Sequence, residues 1–361
     1  MSEAPTLDPT RRARLQQMYG SLSDHAMAPL WESLHSLVKP TPRSQTVPAK
    51  WDYARVVRPF LMECGDLITA KEAERRVLIL ENPALRGSAS ITRSLYAGLQ
   101  LILPGEIAPA HRHVQSALRF IVEGKGAYTS VNGERTIMKP GDFVLTPNWR
   151  WHDHGNETSE PMVWLDGLDI PLVLFLDASF AERSTADTQP VQKPADDSRL
   201  QFGNNLFPVD WKPGDRNSPL INYPYERSCE TLDAMRRKQP PDLVHGYKLR
   251  YVNPATGKSP MPTIGAFIQL LPAHFKSAGY RSTDGTVYAV VEGEGRTVIG
   301  EQTFTWGPKD IFVVPSWHWH THEASEDAVI FSFSDRPVQE DLGFWREERA
   351  DTSYPYDTRS T

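Results

Sequence analysis

Apolar residues recur at helical spacing over the first part of the chain. Two groups of them lie three or four positions apart: Leu15, Met18, Tyr19 and Leu22, and then Leu30, Trp31, Leu34 and Leu37. Asp8-Pro9 fits a helix start, because proline is tolerated in the first helical turn. Pro40-Thr41-Pro42 interrupts the second group. The pattern predicts a helical N-terminal segment over residues 1–74.

From about residue 75 the apolar positions form short runs separated by Gly, Pro and Asn. The runs are Val77–Leu80, Leu99–Leu103, Leu118–Val122, Ala127–Val131, Phe143–Leu145 and Met162–Leu165. Asn132-Gly133 between two of these segments predicts a tight hairpin, because Asn-Gly accepts the positive φ angles of such turns. Many short strands with frequent turns predict a β-sandwich or barrel.

This strand-rich region occurs twice. Val122–Gly126 and Pro140–His154 match Val291–Gly295 and Pro308–His322, which lie 169 and 168 residues further on. The predicted segments are 1–74, helical; 75–181, the first β module; 182–245, a polar linker with a helix near Thr231–Arg237; 246–336, the second module; and 337–361, a tail. The tail is predicted to begin as a helix over Glu340–Arg349 and to end in a polar, mobile stretch.

Composition and charge limit the classes of partner and the compartment that we expect for this chain. The 361 residues include 39 Lys and Arg against 45 Asp and Glu, a net charge of −6, without a basic block. We therefore expect no nucleic-acid and no membrane partner. Cys64 and Cys229 belong to no CxxC pair, which excludes a disulfide framework and favours the reducing cytoplasm. No apolar run approaches the roughly 18 residues of a membrane span, and the start lacks the apolar stretch of a signal peptide.

Four histidines form two pairs within the first β module. His111 and His113 form one alternating pair, and His152 and His154 form another, 39 residues after His113. If residues 111–120 form one strand, alternate side chains share a face. That face carries His111, His113, Gln115, Ala117 and Arg119. Imidazoles bind divalent first-row metals, so this face predicts a polar site with a metal and an anion.

A lone HxH pair is common without a metal, but the wider spacing here is specific. Gly105, His111, His113, position 117 and Gly124 have the spacing of the first cupin motif, and Gly141, Pro147, His152 and Asn156 have that of the second. Ala117 stands where the motif usually carries Glu. The ligands are then His111, His113 and His152. Three neutral ligands leave a divalent ion at its full charge, which favours an anionic, chelating substrate.

The second module has lost most of these ligands. Tyr280, Ser282 and Thr286 align with His111, His113 and Ala117, and only His320 survives as the counterpart of His152. One histidine is a poor metal site, so we expect one metal per chain, in the first module. His318 and His322 are expected to be structural or interface residues.

These motifs resemble the gentisate 1,2-dioxygenase family of bicupins, which includes salicylate and 1-hydroxy-2-naphthoate dioxygenases. The resemblance covers residues 15–345. It rests on residues 111–120, His152-Asp153-His154, residues 164–171, residues 250–254 and residues 314–317. It implies a mainly β fold of two double-stranded β-helix (jelly-roll) barrels with a helical N-terminal segment, and a homotetramer.

The resemblance also implies the chemistry of the site. One Fe(II) per chain would be held by His111, His113 and His152, and an aromatic hydroxycarboxylate and O2 would be the substrates. By the same resemblance, Arg119, Arg75, Gln100 and Tyr96 would contact the substrate, and His154 and Asp166 would serve catalysis. For His154 a purely structural role, and for Arg119 an ordinary ion pair, stay open.

The expected reaction is cleavage of gentisate between its carboxyl- and hydroxyl-bearing carbons, which gives maleylpyruvate. Tyr96, where the salicylate-cleaving relative has tryptophan, favours gentisate over salicylate or 1-hydroxy-2-naphthoate. A decarboxylase or isomerase bicupin would usually keep the Glu ligand, and oxalate decarboxylases keep two intact sites, so Ala117 and Tyr280 argue against that class. A non-catalytic ligand-binding bicupin stays open, although the histidine triad and the inward Arg119 argue against it.

Overall fold

A computed structural model describes residues 8–350, in which residues 8–43 and 44–350 form two compact units. The helices are α1 Pro9–Asp24, α2 Leu30–Leu37, α3 Arg58–Leu67, α4 Ala70–Ala73, α5 Ile170–Phe175, α6 Asp197–Phe202, α7 Tyr225–Lys238 and α8 Arg336–Asp341. A π-helical turn spans Tyr53–Val57 and a 3-10 turn spans Pro83–Leu85. The predicted helix near Thr231–Arg237 lies inside α7.

The smaller unit consists of α1 and α2. The carboxylate of Asp8 accepts a hydrogen bond from the amide of Thr10 at 3.3 Å, and Pro9 occupies the first turn of α1, as the sequence predicts. The indole of Trp31 donates to the hydroxyl of Tyr19 at 2.8 Å, which joins the two helices.

The larger unit is built from short strands, all paired antiparallel. Those up to residue 223 are β1 Ala49–Trp51, β2 Val77–Ile79, β3 Tyr96–Ile102, β4 Ile107–His113, β5 Ala117–Glu123, β6 Tyr128–Val131, β7 Glu134–Ile137, β8 Phe143–Thr146, β9 His152–Gly155, β10 Met162–Leu168, β11 Ala181–Arg183 and β12 Asn222–Tyr223. The others are β13 Tyr247–Arg250, β14 Gly265–Leu271, β15 Tyr280–Ser282, β16 Thr286–Glu292, β17 Gly295–Ile299, β18 Gln302–Trp306, β19 Ile311–Val314, β20 His320–Ala324, β21 Ala328–Ser334 and β22 Glu347–Arg349.

The strands form two barrels with the same order. In the first barrel, the sheet β12-β8-β5-β10-β3-β2 faces the sheet β11-β4-β9-β6-β7. In the second, β1-β19-β16-β21-β14-β13 faces β18-β17-β20-β15-β22. The inner strands correspond one to one, so the sequence repeat is a repeat of structure.

A continuous apolar core joins the two barrels. The outer faces of the two six-stranded sheets meet there, with Phe120 of β5 stacked on Phe331 of β21 at 4.1 Å between ring centres. Gly167 of β10 permits this approach, because a Cβ at that position would lie 2.7 Å from the ring of Phe333. The inner face of each six-stranded sheet is therefore left to line its own barrel.

The predicted hairpin is confirmed, and two other local predictions are wrong. Asn132 and Gly133 both have positive φ and connect β6 to β7. Residues 111–120 are two strands, because the chain turns after His113, where the amide of Ser116 donates to Asp169 at 2.9 Å. Glu340–Arg349 is not one helix, since α8 ends near Gly343, which has a positive φ, and β22 then pairs with β15.

The N-terminal region contributes more than helices. Its strand β1 pairs with β19 of the second barrel. The division of the chain into the five segments given above stays a prediction, and the polar stretch after residue 350 lies outside the described residues. No helix within residues 8–350 is both long and apolar enough to cross a lipid bilayer.

Candidate active site

Three histidines meet at one end of the first barrel. His111 and His113 lie at the end of β4, and the antiparallel pairing of β4 with β9 places His152 directly opposite His111. Each side chain offers one ring nitrogen, and these three nitrogens lie within 4.8 Å of one another. Neutral imidazoles grouped in this way are suitable ligands for a divalent metal.

Backbone carbonyls orient two of the rings. Nδ1 of His113 lies 2.8 Å from the carbonyl of Gln115, and Nδ1 of His152 lies 2.9 Å from the carbonyl of Arg150. A carbonyl can only accept, so each Nδ1 carries the proton and each Nε2 keeps its lone pair. Nε2 of His152 is buried without a hydrogen-bond partner among the described residues, as expected of an atom that awaits a metal.

The third ring has two polar neighbours. Nδ1 of His111 lies 3.3 Å from the carbonyl of Pro109 and 2.5 Å from the guanidinium of Arg75. Arg75 also donates to the carbonyl of Pro109 at 2.6 Å. A guanidinium can only donate, so in this arrangement Nδ1 accepts from Arg75. Metal ligation through Nε2 would require the proton at Nδ1, donated to Pro109, and Arg75 would then donate to the Pro109 carbonyl alone.

Burial keeps these histidines neutral. Burial, together with Arg75, lowers the pKa of His111 to about 3, and burial lowers the pKa of His113 to about 4. The pKa of His152 also falls well below its ordinary value, chiefly because the ring is buried. At neutral pH all three side chains are therefore in the form that binds metals.

A buried ion pair lies deeper in the same barrel. The guanidinium of Arg119 donates to the hydroxyl of Thr146, and its Nε lies 3.4 Å from a carboxylate oxygen of Asp166. The indole of Trp164 donates to the same carboxylate at 3.1 Å. Burial raises the pKa of Asp166 to about 6, although Arg119 opposes the shift. The Nε of Arg119 has no hydrogen-bond partner among the described residues, so the pair leaves donor capacity unused.

The remaining predicted residues lie around this pair. Nδ1 of His154 is 2.9 Å from the hydroxyl of Thr129, and its Nε2 is buried without a partner among the described residues. Tyr96 and Gln100 lie on the inner face of β3, where Gln100 is opposite Trp164. Burial and the charge of Asp166 raise the pKa of Tyr96, so its phenol stays protonated. The structure therefore brings all nine predicted residues together in the first barrel, with Arg75 at its mouth beside His111.

Several supporting residues were not found from the sequence. They are Thr129, Thr146 and Trp164, which contact His154, Arg119 and Asp166 respectively. For Thr129 a signal was present. Thr129 precedes His154 by 25 residues, and Thr297 precedes His322 by the same number in the second module. The second pair has the same contact, at 2.8 Å.

The second barrel lacks the triad at the corresponding positions. Tyr280 of β15 faces His320 of β20, as His111 faces His152, and Ser282 follows where the first barrel has His113. His322 is buried like its counterpart His154, which agrees with a structural role. Within residues 8–350, the cluster of three metal-ligand side chains is that of His111, His113 and His152.

Known proteins are similar to this chain in sequence and fold. The cupin domain family matches residues 98–169. Gentisate 1,2 dioxygenase 1 of Aquipseudomonas alcaligenes is 56% identical to this chain, over 96% of this chain and 99% of that protein. The chain belongs to the gentisate 1,2-dioxygenase family. A further family member, 5-aminosalicylate 1,2-dioxygenase of a Comamonas species, is 39% identical over 92% of this chain and 90% of its own length.

A solved structure has the same fold as this chain. Salicylate 1,2-dioxygenase of Pseudoaminobacter salicylatoxidans, crystallised with gentisate, superposes with a TM-score of 0.90 at 34% identity. The superposition covers 98% of each chain. The predicted family, the mainly β bicupin fold and the enzyme class, a ring-cleaving dioxygenase, are thereby confirmed. The roles assigned to single residues, the identity of the metal and the oligomeric state stay predictions.

Proposed function

We propose that this protein is an Fe(II)-dependent gentisate 1,2-dioxygenase that opens the ring of gentisate with O2 and yields maleylpyruvate. One observation carries the proposal. A cluster of three neutral histidines without a carboxylate lies in the same barrel as a buried arginine, Arg119. The first feature suits a metal that keeps its full charge, and the second suits the carboxylate of an aromatic acid. The gentisate dioxygenases among the relatives support the choice of substrate.

The histidine cluster fits a metal on its own chemistry. His111, His113 and His152 are neutral, and the Nε2 of His152 is buried with no other partner in the described chain. These three residues would hold the ion. Bound Fe(II) would offer open positions for the two substrate oxygens and for O2, and a path for electrons between them.

The arginines would bind the substrate carboxylate. The Nε–H of Arg119 has no hydrogen-bond partner among the described residues, and the charge of Arg119 lowers the pKa of Arg75, so the two guanidiniums lie within electrostatic range of each other. A bound carboxylate would relieve this repulsion. Asp166 holds the Arg119 guanidinium from one side and would act as a positioning residue.

The two other inward side chains would orient the aromatic ring. The protonated phenol of Tyr96 and the amide of Gln100 can donate hydrogen bonds to ring substituents. A phenol at position 96 fits a ring that carries a second hydroxyl, as gentisate does. This contact distinguishes gentisate from salicylate, which lacks that hydroxyl.

His154 would accept a hydrogen bond from the substrate. The hydroxyl of Thr129 donates to the sulfur of Met138 at 3.2 Å, so it accepts from Nδ1 of His154. Nε2 then holds a lone pair and can accept a hydrogen bond from a substrate hydroxyl. Its low pKa, caused by burial and by Arg119, means that the ring begins the cycle neutral.

A homotetramer in the cytoplasm is also part of the proposal and rests on the family resemblance. Cys64 and Cys229 are both unpaired in the structure, which suits a reducing compartment. Sedimentation of the purified protein would test the tetramer.

Oxygen uptake across a panel of acids tests the proposal. The Fe(II)-loaded enzyme should consume O2 with gentisate, with about one O2 per gentisate and a new absorbance from the ring-opened product. Salicylate, 5-aminosalicylate and 1-hydroxy-2-naphthoate should be slower. Faster uptake with one of these acids would reassign the substrate, and absence of uptake with the whole panel would favour a ligand-binding bicupin.

A further inference from the structure

The second barrel contains a cation that its own residues leave unpaired. Lys248 of β13 is partly buried, and its Nζ lies 5.0 Å from the centre of the Phe267 ring and 6.0 Å from that of Tyr288. Within residues 8–350 this ammonium has no hydrogen bond and no carboxylate oxygen at ion-pair distance. An enclosed charge without a contacting polar partner is costly, so a partner is expected.

The two neighbouring carboxylates accept hydrogen bonds from other side chains. The carboxylate of Asp284 accepts from the indole of Trp345 at 3.1 Å, and that of Glu347 accepts from the phenol of Tyr280 at 2.7 Å. Burial lowers the pKa of Lys248 to about 8, and the field of Asp284 limits the decrease, so the ammonium form still prevails at neutral pH. The second barrel therefore keeps an available positive charge.

Two residues with hydroxyl groups share the inner sheet face with the rings near this charge. Tyr288 of β16 faces Ser332 of β21, and Ser332 in turn faces Phe267 of β14, over which Nζ of Lys248 lies. Ser332 is 1% exposed, and its Oγ has no hydrogen-bond partner among the described residues. The hydroxyl of Tyr288, a residue that is 3% exposed, likewise has no partner within residues 8–350.

The position matches the anion-binding region of the first barrel. The pair Tyr288 and Ser332 occupies the register of Arg119 and Asp166. The repeat has thus replaced an arginine by a phenol, while Lys248 supplies a cation from a neighbouring strand. The surrounding rings of His320 and His322 are neutral, because burial lowers their pKa, so they do not compete for an anion as charges.

We propose that the interior of the second barrel binds a small carboxylate without a metal, through Lys248 and the hydroxyls of Tyr288 and Ser332. One ammonium and two hydroxyl donors match the acceptor capacity of one carboxylate group. The rings of Phe267 and Tyr288, which lie near Nζ, give the site apolar walls that an aromatic carboxylate can contact. The site is separate from the proposed catalytic one, and it does not depend on the substrate assigned there.

Equilibrium dialysis with labelled formate and labelled benzoate tests the proposal on the full-length, iron-loaded protein. For at least one of these acids, wild type should bind about one equivalent per chain that Lys248→Met does not bind. Lys276→Met removes an exposed lysine of the same barrel and should retain that equivalent. Tyr288→Phe and Ser332→Ala should each weaken the binding about tenfold, since each removes a hydrogen bond to a charged group.

Gentisate turnover, measured on the same samples, keeps this test apart from the proposed function. Turnover in Lys248→Met should equal that of wild type and shows that the variant is folded. The proposal is overturned if neither acid shows binding that depends on Lys248, whether or not the enzyme cleaves gentisate. Equal loss of binding in Lys276→Met would also overturn it, because the effect would then be one of overall charge.

Discussion

At the scale of single residues, the first barrel combines neutral histidines with charged arginines in one enclosed space. Burial lowers the pKa of His111 to about 3 and that of His113 to about 4, whereas the pKa of Arg75 falls only to about 10. The imidazoles are thus free to bind a metal, while the guanidiniums keep their charge. The site is cationic inside a protein whose net charge is −6.

Catalysis should need the planar shape of the Arg119 guanidinium as well as its charge. Arg119→Lys keeps a cation beside Asp166 but loses the planar fork that binds a carboxylate, so kcat/KM for gentisate should fall about tenfold to a hundredfold. Arg119→Met should lower it by about a hundredfold or more. Steady-state kinetics measure both. Arg296→Met, which removes an exposed ion pair with Glu323, is the control and should leave kcat/KM unchanged.

Asp166 should give the pH profile of kcat/KM an acidic limb, that is, a fall in kcat/KM at low pH. Its pKa, which burial raises to about 6, means that the carboxylate gains a proton as the pH falls through that value and ceases to hold Arg119 as an ion pair. We expect kcat/KM to decline below about pH 6 in wild type. Asp166→Asn should have a lower plateau without this limb.

A control separates this titration from a general effect of acid. Burial and the charge of Asp284 also raise the pKa of Asp335 to about 6, but Asp335 lies at the second barrel. Asp335→Asn should therefore keep the limb. A limb that survives in Asp166→Asn would show that another group is responsible.

The sequence predicts the metal-site residues more readily than their supporting contacts. The spacing of His111, His113 and His152 is a local pattern that strand alternation and the cupin motif make visible. The contact of Arg75 with His111 joins residues 36 positions apart and depends on how β2 packs beside the barrel mouth. Distances of that kind follow from tertiary packing, which no local pattern encodes.

At the scale of elements, the two six-stranded sheets are held together by aromatic packing. Phe331 of β21 is fully buried and contacts Phe120, Phe143 and Tyr251 with ring centres 4.1, 5.6 and 6.2 Å apart. These rings belong to both barrels, so one side chain links the two modules.

Truncation of this ring should destabilise the protein as a whole. Phe331→Ala should lower the free energy of unfolding by about 3–5 kcal/mol, because it removes buried apolar surface and leaves a cavity. Chemical denaturation measures the change. Phe344→Ala is the matched control, since that ring is 64% exposed and should change stability by less than about 0.5 kcal/mol. Equal losses in both variants would contradict the packing account.

Local signals predict some elements well and fail for others. The hairpin at Asn132-Gly133 follows from the turn residues alone, and it is found as predicted. The break between β4 and β5 depends on Asp169, more than fifty positions along the chain, which accepts the amide of Ser116. Strand β22 likewise exists because β15 pairs with it, so a helical pattern in residues 340–349 was overridden by a distant partner.

At the scale of the whole molecule, one topology carries two different interiors. His152 and His320 occupy corresponding positions, opposite His111 and Tyr280 respectively, but only His152 has two further histidines within ligand distance in the described structure. The shared fold alone therefore does not determine the metal site. The site depends on which residues the inner strands carry.

This correspondence allows the most direct test of the central claim, that the triad of the first barrel binds iron and cleaves gentisate. Iron content and gentisate-dependent oxygen uptake should be measured together in wild type, His152→Ala and His320→Ala. We predict that His152→Ala loses both the iron and the uptake, by at least about a hundredfold in rate, while His320→Ala keeps about one iron per chain and near-normal uptake. Retained uptake in His152→Ala, or equal losses in the two variants, would contradict the account.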